Sequence, residues 1–347
     1  MIRRMAVLGA GVMGSEIAQT AAAGGVEVVL LDSDPEALER GLAHVARICE
    51  RRVQRGRMSA EDAKAIVARI SPTVDDAELA RCDLAIEAVP EILEVKREVF
   101  RRLDSALPSE ALLATNTSGL SITALAAETN RPDLVVGLHF FNPASVMMLV
   151  EVIRGETTTE ATMVAAEDLA RALGKVPVRV RECPGFLVNR ILVRALVEAY
   201  RHAAEIGADL PAADRAVVEG GPAPMGAFAL GDLIGLDTLG HIQRDLAEAY
   251  GERFDDGGEI ARRVDAGRLG KKTGSGFYDG DAQEAAADGA GREVAARYYA
   301  SALDEARRCV EEEIAAPADV DVAMRHGCGW DIGPLEWGRS TEPSPGG

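Results

Sequence analysis

The sequence predicts an α/β N-terminal domain with a mostly parallel sheet, followed by an all-α C-terminal domain with a partial second helical repeat. Short apolar runs alternate with helical patterns along the N-terminal part of the chain, as in βαβ units. The breaker Cys183-Pro184-Gly185 then ends the alternation, and helical periodicity continues beyond it. A chain of 347 residues is long enough for two such domains.

The N-terminal elements follow one another as strand and helix. Apolar runs bounded by glycine, proline or aspartate predict buried strands at Met5–Gly9, Val26–Leu31, Leu84–Ala88, Leu112–Thr115, Val135–Phe140, Leu149–Ile153 and Val176–Val180. Patterns of helical period predict helices at Val12–Ala23, Ile92–Ala106 and Glu160–Leu173, and from Pro35 towards Arg57. This alternation predicts that most neighbouring strands are parallel.

Beyond the breaker the pattern is helical. Helices are expected at Leu187–Ile206, Ala212–Glu219, Ala227–Tyr250, Ile260–Ala266 and Arg292–Met324. An Ala-, Gly- and Asp-rich stretch predicts a linker, and a Pro/Gly/Ser-rich end predicts a disordered tail. The predicted organisation is a nucleotide-binding domain at 1–183, a helical domain at 184–280, a linker at 281–291, a partial helical repeat at 292–338 and a tail at 339–347.

The helical region contains an internal repeat. Ala195–Leu230 aligns without gaps against Ala302–Trp337. The matched positions are Ala195/Ala302, Leu196/Leu303, Glu198/Glu305, Arg201/Arg308, Asp214/Asp321, Gly220/Gly327 and Gly226/Gly333. Two Ala-rich helices can match by chance, but the paired glycines at the helix ends favour a duplication. The sequence leaves open whether the second copy takes the place of a second subunit.

Charge and composition exclude several classes of protein. The formal net charge of −18 argues against a nucleic-acid binder or a protein of anionic membranes, both of which need a basic surface. The five cysteines are odd in number and show no C-x-x-C spacing, so we expect a reducing cytoplasm, no disulfide framework and no metal site. Arg3 and Arg4 precede an apolar stretch, but Gly9, Gly11 and Gly14 interrupt it too soon for a signal peptide or a membrane span.

The first strand leads into a glycine-rich motif, Gly9-Ala10-Gly11-Val12-Met13-Gly14. This G-x-G-x-x-G follows a predicted strand and opens a predicted helix, which is the context that identifies a Rossmann-type dinucleotide site. Asp32 ends the second strand, where a carboxylate accepts hydrogen bonds from a ribose 2′-hydroxyl and repels a 2′-phosphate. The motif therefore predicts NAD rather than NADP. FAD shares the fingerprint, but it needs further regions that we do not find.

A second motif, Gly137-Leu138-His139-Phe140-Phe141-Asn142-Pro143, places one of five histidines at the C-terminal end of a predicted strand. Ligands of open α/β sheets bind beyond such ends. Glu151 lies on the next predicted strand, and it would lie beside His139 if the two strands pair as a hairpin. The acid could then fix the imidazole tautomer. Oxidation of an alcohol needs such a base, because the hydroxyl proton leaves as hydride departs.

These residues carry a resemblance to the 3-hydroxyacyl-CoA dehydrogenase family. The resemblance covers nearly all of residues 1–280, and its segments are specific only in combination. They are GAGVMG at Gly9–Gly14, IEAVPE at Ile86–Glu91, ATNTS at Ala114–Ser118, GLHFFNP at Gly137–Pro143, LVEV at Leu149–Val152, PGFLVNR at Pro184–Arg190 and GKKTGSGFY at Gly270–Tyr278. The family usually has proline where this chain has Ala227, which concerns local helix packing rather than the chemistry.

The resemblance implies a reaction, the reversible NAD-dependent oxidation of an (S)-3-hydroxyacyl-CoA to a 3-ketoacyl-CoA, as in fatty-acid β-oxidation. It makes His139 the general base and Glu151 its partner. Ser118 and Asn189 would hydrogen-bond the substrate oxygen or the thioester carbonyl. The residues implied for the nucleotide and its nicotinamide ribose are Asp32, Glu91, Lys96 and Asn116. Those expected at the CoA phosphates are Arg51 and Arg55, at the Arg-rich helix end, and Lys64 beyond it.

Alternatives stay open at this point. The acyl group could be carried by an acidic acyl carrier protein instead of CoA, or the chain could be a nucleotide-binding scaffold without catalysis. Ser118 could merely cap the following helix, and the arginine run could be a solvated helix face. A homodimer is expected, because helical domains of this kind often bury a shared apolar face.

Overall fold

The computed structural model describes residues 2–341 and divides the chain into two compact units, Met1–Glu182 and Cys183–Gly347. The division falls one residue before the end predicted for the first domain. The first unit contains all eight strands found in the described residues, and the second is helical. The predicted fold class, a mostly parallel sheet domain followed by a helical domain, is confirmed.

One eight-stranded sheet forms the centre of the first unit, in the order β3-β2-β1-β4-β5-β6-β7-β8. Its strands are β1 Arg4–Leu8, β2 Glu27–Leu31, β3 Ile70–Thr73, β4 Leu84–Glu87, β5 Leu112–Thr115, β6 Val135–Phe140, β7 Leu149–Arg154 and β8 Val176–Arg181. All neighbours pair in parallel except β6 and β7, which are antiparallel. The order reverses direction between β1 and β4, where the ligand crevice of such sheets lies.

Helices flank the strands of this sheet in sequence. They are α1 Val12–Ala23, α2 Pro35–Gln54, α3 Ala60–Ala68, α4 Leu93–Ala106, α5 Ile122–Ala126 and α6 Glu160–Ala172, with 3₁₀ turns at Asp76–Arg81 and Pro132–Leu134. Residues Met5 to Leu8 of β1 are at most 2% exposed, and β4 and β5 are buried at every position. Burial on both faces explains why these strands are unbroken apolar runs instead of alternating ones.

The prediction missed a helix, a strand and the 3₁₀ turn at Asp76–Arg81 between α2 and β4. Helix α2 ends at Gln54 and not near Arg57, and α3 follows, capped by the Ser59 hydroxyl, which accepts a hydrogen bond of 3.0 Å from the Asp62 N–H. Strand β3 then pairs with β2 alone, at the edge of the sheet. Its sequence, Ile-Ser-Pro-Thr, lacks a strand signature because an edge strand tolerates proline and polar residues.

The second unit consists of eight α-helices within the described residues and a 3₁₀ turn at Gly251–Phe254. The helices are α7 Val188–Ile206, α8 Leu210–Gly220, α9 Ala227–Ile234, α10 Leu236–Tyr250, α11 Glu259–Asp265, α12 Gly289–Glu311, α13 Pro317–Cys328 and α14 Pro334–Thr341.

Four predictions for this unit are wrong in detail. The single helix predicted over Ala227–Tyr250 breaks at Gly235, whose φ of +95° is incompatible with a continuous helix. The segment Arg292–Met324 is two helices, α12 and α13, separated before Pro317. Helix α12 begins at Gly289, inside the predicted linker, because the Asp288 carboxylate caps it. Helix α14 extends to Thr341, into the predicted tail, whose residues 342–347 lie outside the described part of the chain.

The repeat found in the sequence is visible in the hydrogen bonds. The Asp214 carboxylate in α8 accepts from the N–H groups of Phe228 and Ala229, at 2.8 and 2.9 Å, and so caps the start of α9. The matched Asp321 in α13 accepts from the N–H groups of Leu335 and Glu336, at 2.8 and 3.3 Å, at the start of α14. A Cβ at Gly226 or Gly333 would lie 2.2 Å from the respective aspartate side chain. The paired glycines therefore allow the same cap in both copies.

The two copies also contact each other reciprocally. Arg190 in α7 pairs with Glu305 in α12 at 2.7 Å, and Arg297 in α12 pairs with Glu198 in α7 at 3.6 Å. Arg297 follows Arg190 by the same number of residues as Glu305 follows Glu198. Exchanging the two copies therefore turns one ion pair into the other. This is the contact pattern of a two-fold interface, formed here within one chain.

Candidate active site

The glycine motif forms one wall of a groove of about 1030 Å³ in the first unit. Gly9 has a φ of +98°, and a Cβ there would lie 2.7 Å from the Ala88 carbonyl oxygen. At Gly14 a Cβ would lie 1.8 Å from the Gly9 carbonyl oxygen, so only glycine lets α1 pack this close to the loop. Gly11 instead faces open space along the groove, where a side chain would fill the volume next to α1.

The start of α1 suits an anion. Within residues 2–341 no side chain caps its N-terminus at Gly11, so the first N–H groups of the helix keep their donors for a ligand. Val12 and Met13 line the same groove, and Val12 is 58% exposed. This open cradle fits the pyrophosphate of a dinucleotide, which is the group that the glycine spacing predicts.

Asp32 fixes the glycine loop to the end of β2. Its two carboxylate oxygens accept from the Ala10 N–H at 2.7 Å and the Asp34 N–H at 3.0 Å. Asp34 in turn accepts from the Glu36 N–H at 2.9 Å and caps α2. Asp32 is half-buried and lines the groove, and a carboxylate at the end of the second strand disfavours a 2′-phosphate.

A buried cluster of charges lies at the end of β4. The Lys96 ammonium is 2.6 Å from a Glu87 oxygen and 3.1 Å from a Glu91 oxygen, and Lys96 is only 1% exposed. Glu87 is fully buried and also accepts from the Thr115 hydroxyl at 2.7 Å. Burial alone would raise the pKa of Glu91, but Lys96 and hydrogen bonds from Thr117 and Ser118 outweigh it, so this pKa lies below its usual value. We call Glu87, Glu91 and Lys96 the acidic cluster.

Ser118 is held by the acidic cluster. Its N–H and its hydroxyl both donate to the same Glu91 oxygen, at 2.9 and 3.2 Å, and the Thr117 hydroxyl donates to that oxygen as well. Ser118 therefore does not cap α5, as the alternative interpretation of the sequence allowed, because the cap of α5 is the Ser121 hydroxyl, which accepts from the Ala124 N–H. The structure brings together three residues that the sequence analysis had assigned to the site: Glu91, Lys96 and Ser118.

His139 and Glu151 face each other across the antiparallel pair β6–β7. They are directly opposite in the register, and His139 Nδ1 lies 2.6 Å from Glu151 Oε2. Glu151 is fully buried and His139 is 7% exposed. The Phe140 N–H next to the histidine donates to Asn116 Oδ1 at 2.9 Å, which ties the end of β5 to the end of β6. The hairpin geometry that the sequence analysis required for this pair is present.

Asn189 lies in the second unit, half-buried at the start of α7. The three cations expected at CoA lie on the hairpin of α2 and α3. Arg51, Arg55 and Lys64 are exposed, and beside them a cavity of about 580 Å³ separates the two helices. Small and apolar residues such as Ala46, Val53 and Ala63 line this cavity.

Six cations lie along the hairpin of α2 and α3. No ion pair with any of residues 2–341 is formed by Arg47, Arg51, Arg52, Arg55, Arg57 or Lys64. In the first turns of the same α2, by contrast, Arg40 pairs with Asp34 and Glu36. Unpaired cations on a chain of net charge −18 indicate a place for an anion.

Sequence reasoning missed Glu87. Glu87 ends the run Leu84-Ala85-Ile86-Glu87. The signal that the sequence offered was a carboxylate at the last position of a predicted buried strand. Among the described residues no group of three or more His, Cys, Asp or Glu side chains could hold a metal ion. No helix in that part of the chain is long and apolar enough to span a membrane.

Comparisons with known proteins match both units of the chain to one family. A family model described as "3-hydroxyacyl-CoA dehydrogenase, NAD binding domain" matches residues 4–183, and one described as "3-hydroxyacyl-CoA dehydrogenase, C-terminal domain" matches 185–280 and again 294–342. The chain is 43% identical over 281 residues to the "Probable 3-hydroxybutyryl-CoA dehydrogenase" of Bacillus subtilis, which covers 80% of this chain and 97% of that protein.

Two solved structures are similar as well. The crystal structure of 3-hydroxybutyryl-CoA dehydrogenase from Escherichia coli K12 matches with a TM-score of 0.89 and 31% identity, over 98% of this chain and 92% of that one. That of (S)-3-hydroxybutyryl-CoA dehydrogenase PaaH1 from Ralstonia eutropha has a TM-score of 0.78 and 38% identity, over 80% of this chain and 99% of that one. The first match extends across both helical copies.

Proposed function

Because the chain belongs to the 3-hydroxyacyl-CoA dehydrogenase family, whose N-terminal domain binds NAD, we propose that it oxidises (S)-3-hydroxyacyl-CoA substrates reversibly to 3-ketoacyl-CoA. Relatives named for 3-hydroxybutyryl-CoA support a short acyl chain. The contact between His139 and Glu151, 2.6 Å and buried, is the single observation that carries the proposal.

The proton of the substrate hydroxyl passes to His139. When Glu151 accepts the Nδ1–H, the neutral ring presents the lone pair of Nε2, so the acid selects the tautomer that can act as a base. After proton transfer the imidazolium stays paired with a fully buried carboxylate, which stabilises its charge. In the reverse direction the same imidazolium returns the proton to the forming alkoxide.

The dinucleotide occupies the groove between the glycine loop and Asp32. When bound there, NAD supplies the hydride acceptor. Gly9, Gly11 and Gly14 shape the loop, and the N–H groups of Val12 and Met13 are available to its phosphates. Glu91, Lys96 and Asn116 order the nicotinamide end, Lys96 through the carboxylates it pairs with.

Ser118 and Asn189 orient the substrate. The Ser118 hydroxyl donates to Glu91 at 3.2 Å, which holds its oxygen in place, while Asn189 presents a side-chain amide from α7. An amide can both donate and accept, so Asn189 suits the thioester carbonyl as well as the substrate hydroxyl. Ser118 can donate to either substrate oxygen when its hydroxyl proton turns from Glu91 to the substrate.

The unpaired cations of the α2–α3 hairpin support CoA as the carrier. Arg51, Arg55 and Lys64 present guanidinium and ammonium groups that suit phosphates, and the apolar cavity beside them has the character of an adenine site. A homodimer is part of the proposal. It must use a surface other than the buried face of α7, because α12 of the same chain covers that face.

The test is the variant His139→Gln, assayed by NADH absorbance with 3-hydroxybutyryl-CoA. Turnover should fall about 10²- to 10⁴-fold because the general base is lost, while NADH binding, followed by fluorescence, stays within about twofold. His202→Gln is the matched control, since His202 is equally buried and lies 3.0 Å from Glu293 in the helical unit. Unchanged turnover in His139→Gln would end the assignment, and a wild type inactive on every acyl thioester would favour a binding scaffold.

A further inference from the structure

Glu87 occupies a central position that the proposed chemistry does not use. In the register it lies opposite Leu8 of β1 on one side and Thr115 of β5 on the other. It is therefore flanked by the strand that leads into the glycine loop and the strand that leads into Ser118. One of its oxygens accepts from Lys96 and from the Val89 N–H, at 2.6 and 2.7 Å, and the other accepts from Thr115.

The acidic cluster carries one uncompensated negative charge. Its two carboxylates share one ammonium, and the lowered pKa of Glu91 keeps that carboxylate ionised at neutral pH. Glu87 and Lys96 are at most 1% exposed and the Glu91 side chain is 31% exposed, so water screens this charge only in part. An excess charge in such a place is costly unless a charge of opposite sign comes close to it.

We propose that Glu87 makes the site prefer the oxidised dinucleotide to the reduced one. The inference rests on the proposed function, in which hydride leaves the carbon whose hydroxyl faces His139 and Ser118. The nicotinamide ring must then lie close to Ser118, with only the bound substrate between them, and the Ser118 hydroxyl is hydrogen-bonded to Glu91. The ring carries a positive charge only when oxidised, so the acidic cluster attracts NAD⁺ and has no such attraction for NADH.

The expected size of this preference for NAD⁺ over NADH follows from Coulomb's law. At a separation of about 10 Å and an effective dielectric constant of about 20, removing one unit charge changes the ratio of two dissociation constants roughly ten- to twentyfold. If Glu87 were only structural, its replacement would affect the two dissociation constants differently from this. Loosening the segment that carries Ser118 weakens both forms of the dinucleotide by similar factors and leaves their ratio unchanged.

The experiment measures the dissociation constants of NAD⁺ and NADH, by calorimetry and by fluorescence, for wild type and Glu87→Gln. The amide retains the shape and can still accept from Lys96 while it donates to Thr115, so folding should persist and is checked by thermal unfolding. We expect the ratio Kd(NAD⁺)/Kd(NADH) to rise about ten- to twentyfold. Glu87→Asp, which keeps the charge, should leave it within about threefold of wild type.

Glu98→Gln is the matched control, because Glu98 lines the same groove but its side chain is 73% exposed. Solvent screening should limit its effect on the ratio to about twofold. If Glu87→Gln does not fold, Glu91→Gln removes the same unit of charge and should raise the ratio similarly. A ratio unchanged in the folded variant, or equal shifts in Glu87→Gln and Glu98→Gln, would overturn the proposal. Binding needs no turnover, so this result is independent of the outcome for His139→Gln.

Discussion

The contact between the two helical copies can be tested by one substitution made at equivalent positions. Arg190 is fully buried, and its guanidinium donates to Glu305 at 2.7 Å and to both oxygens of Glu312 at 2.7 and 2.9 Å. In Arg190→Met the fully buried Glu305 keeps, among the described residues, an ion pair with Arg253 alone, whose contacts are longer, at 3.1 and 3.3 Å. Breaking a buried ion pair from one side costs about 3–5 kcal/mol. For a unit of this size that lowers Tm by roughly 6–20 °C.

The control is Arg297→Met, the same substitution at the equivalent position of the second copy. The Arg297 side chain is 55% exposed and lies 3.6 Å from Glu198, which keeps Arg194 and Arg201 at 2.9 and 2.6 Å. An exposed pair of this kind contributes about 0–1 kcal/mol, so Tm should fall by at most about 4 °C. Urea unfolding and calorimetry measure both variants. Equal losses in the two, or no loss in Arg190→Met, would refute the claim that burial of this pair holds the copies together.

Two further predictions concern the site. Replacing Arg51 and Arg55 together by alanine should raise KM for 3-hydroxybutyryl-CoA about tenfold or more, because phosphate contacts are lost. KM for an N-acetylcysteamine thioester, which lacks phosphates, should stay within about twofold. A rise in KM confined to carrier-protein substrates would instead favour the carrier protein as the natural carrier. The pKa of Glu91 is lowered on folding, so its stabilising effect is present above its ordinary value near 4.5 and is lost as pH falls through the lower folded value. Urea unfolding of Glu91→Gln should therefore show a deficit at pH 7 that shrinks below about pH 4, and a deficit that is the same at both pH values would contradict this.

The sequence predicted the parallel sheet well because buried strands have a simple signature. The runs that became β1, β4, β5 and β7 are apolar at most positions and end at glycine or polar residues, and the run of β6 is apolar apart from Gly137 and His139. Strand β3 has no such run, because an edge strand buries little. Its Pro72 lies opposite Leu30 and has no N–H to donate, which an edge strand tolerates. The break at Gly235 was missed for a different reason. An isolated glycine is tolerated in helices, and only the backbone shows that this one has a φ of +95°.

The site was predicted as far as its residues lie in local motifs. The glycine loop and the pair His139–Glu151 follow from spacing, and the antiparallel register brought the pair together as the hairpin hypothesis required. Glu87 could not be found in this way. Its partners Lys96 and Thr115 are 9 and 28 positions away in the chain, so only the folded sheet brings them together.

Two buried acidic groups in the site have complementary tasks under the proposed reaction. Before hydride transfer the reacting groups carry one positive charge on the oxidised ring, and afterwards they carry one on the His139 imidazolium. The excess carboxylate of Glu87, Glu91 and Lys96 stabilises the first, and the fully buried Glu151 stabilises the second, 2.6 Å from Nδ1. Because each positive charge lies near a different carboxylate group, neither oxidation nor reduction of the substrate requires a positive charge to be buried without a partner. Glu87 lies at the end of β4 and Glu151 lies within β7, so two separate carboxylate groups serve the two charges. Under the proposed reaction, removing the charge of Glu87 should shift the bound equilibrium towards the reduced dinucleotide, and removing that of Glu151 should shift it towards the oxidised one.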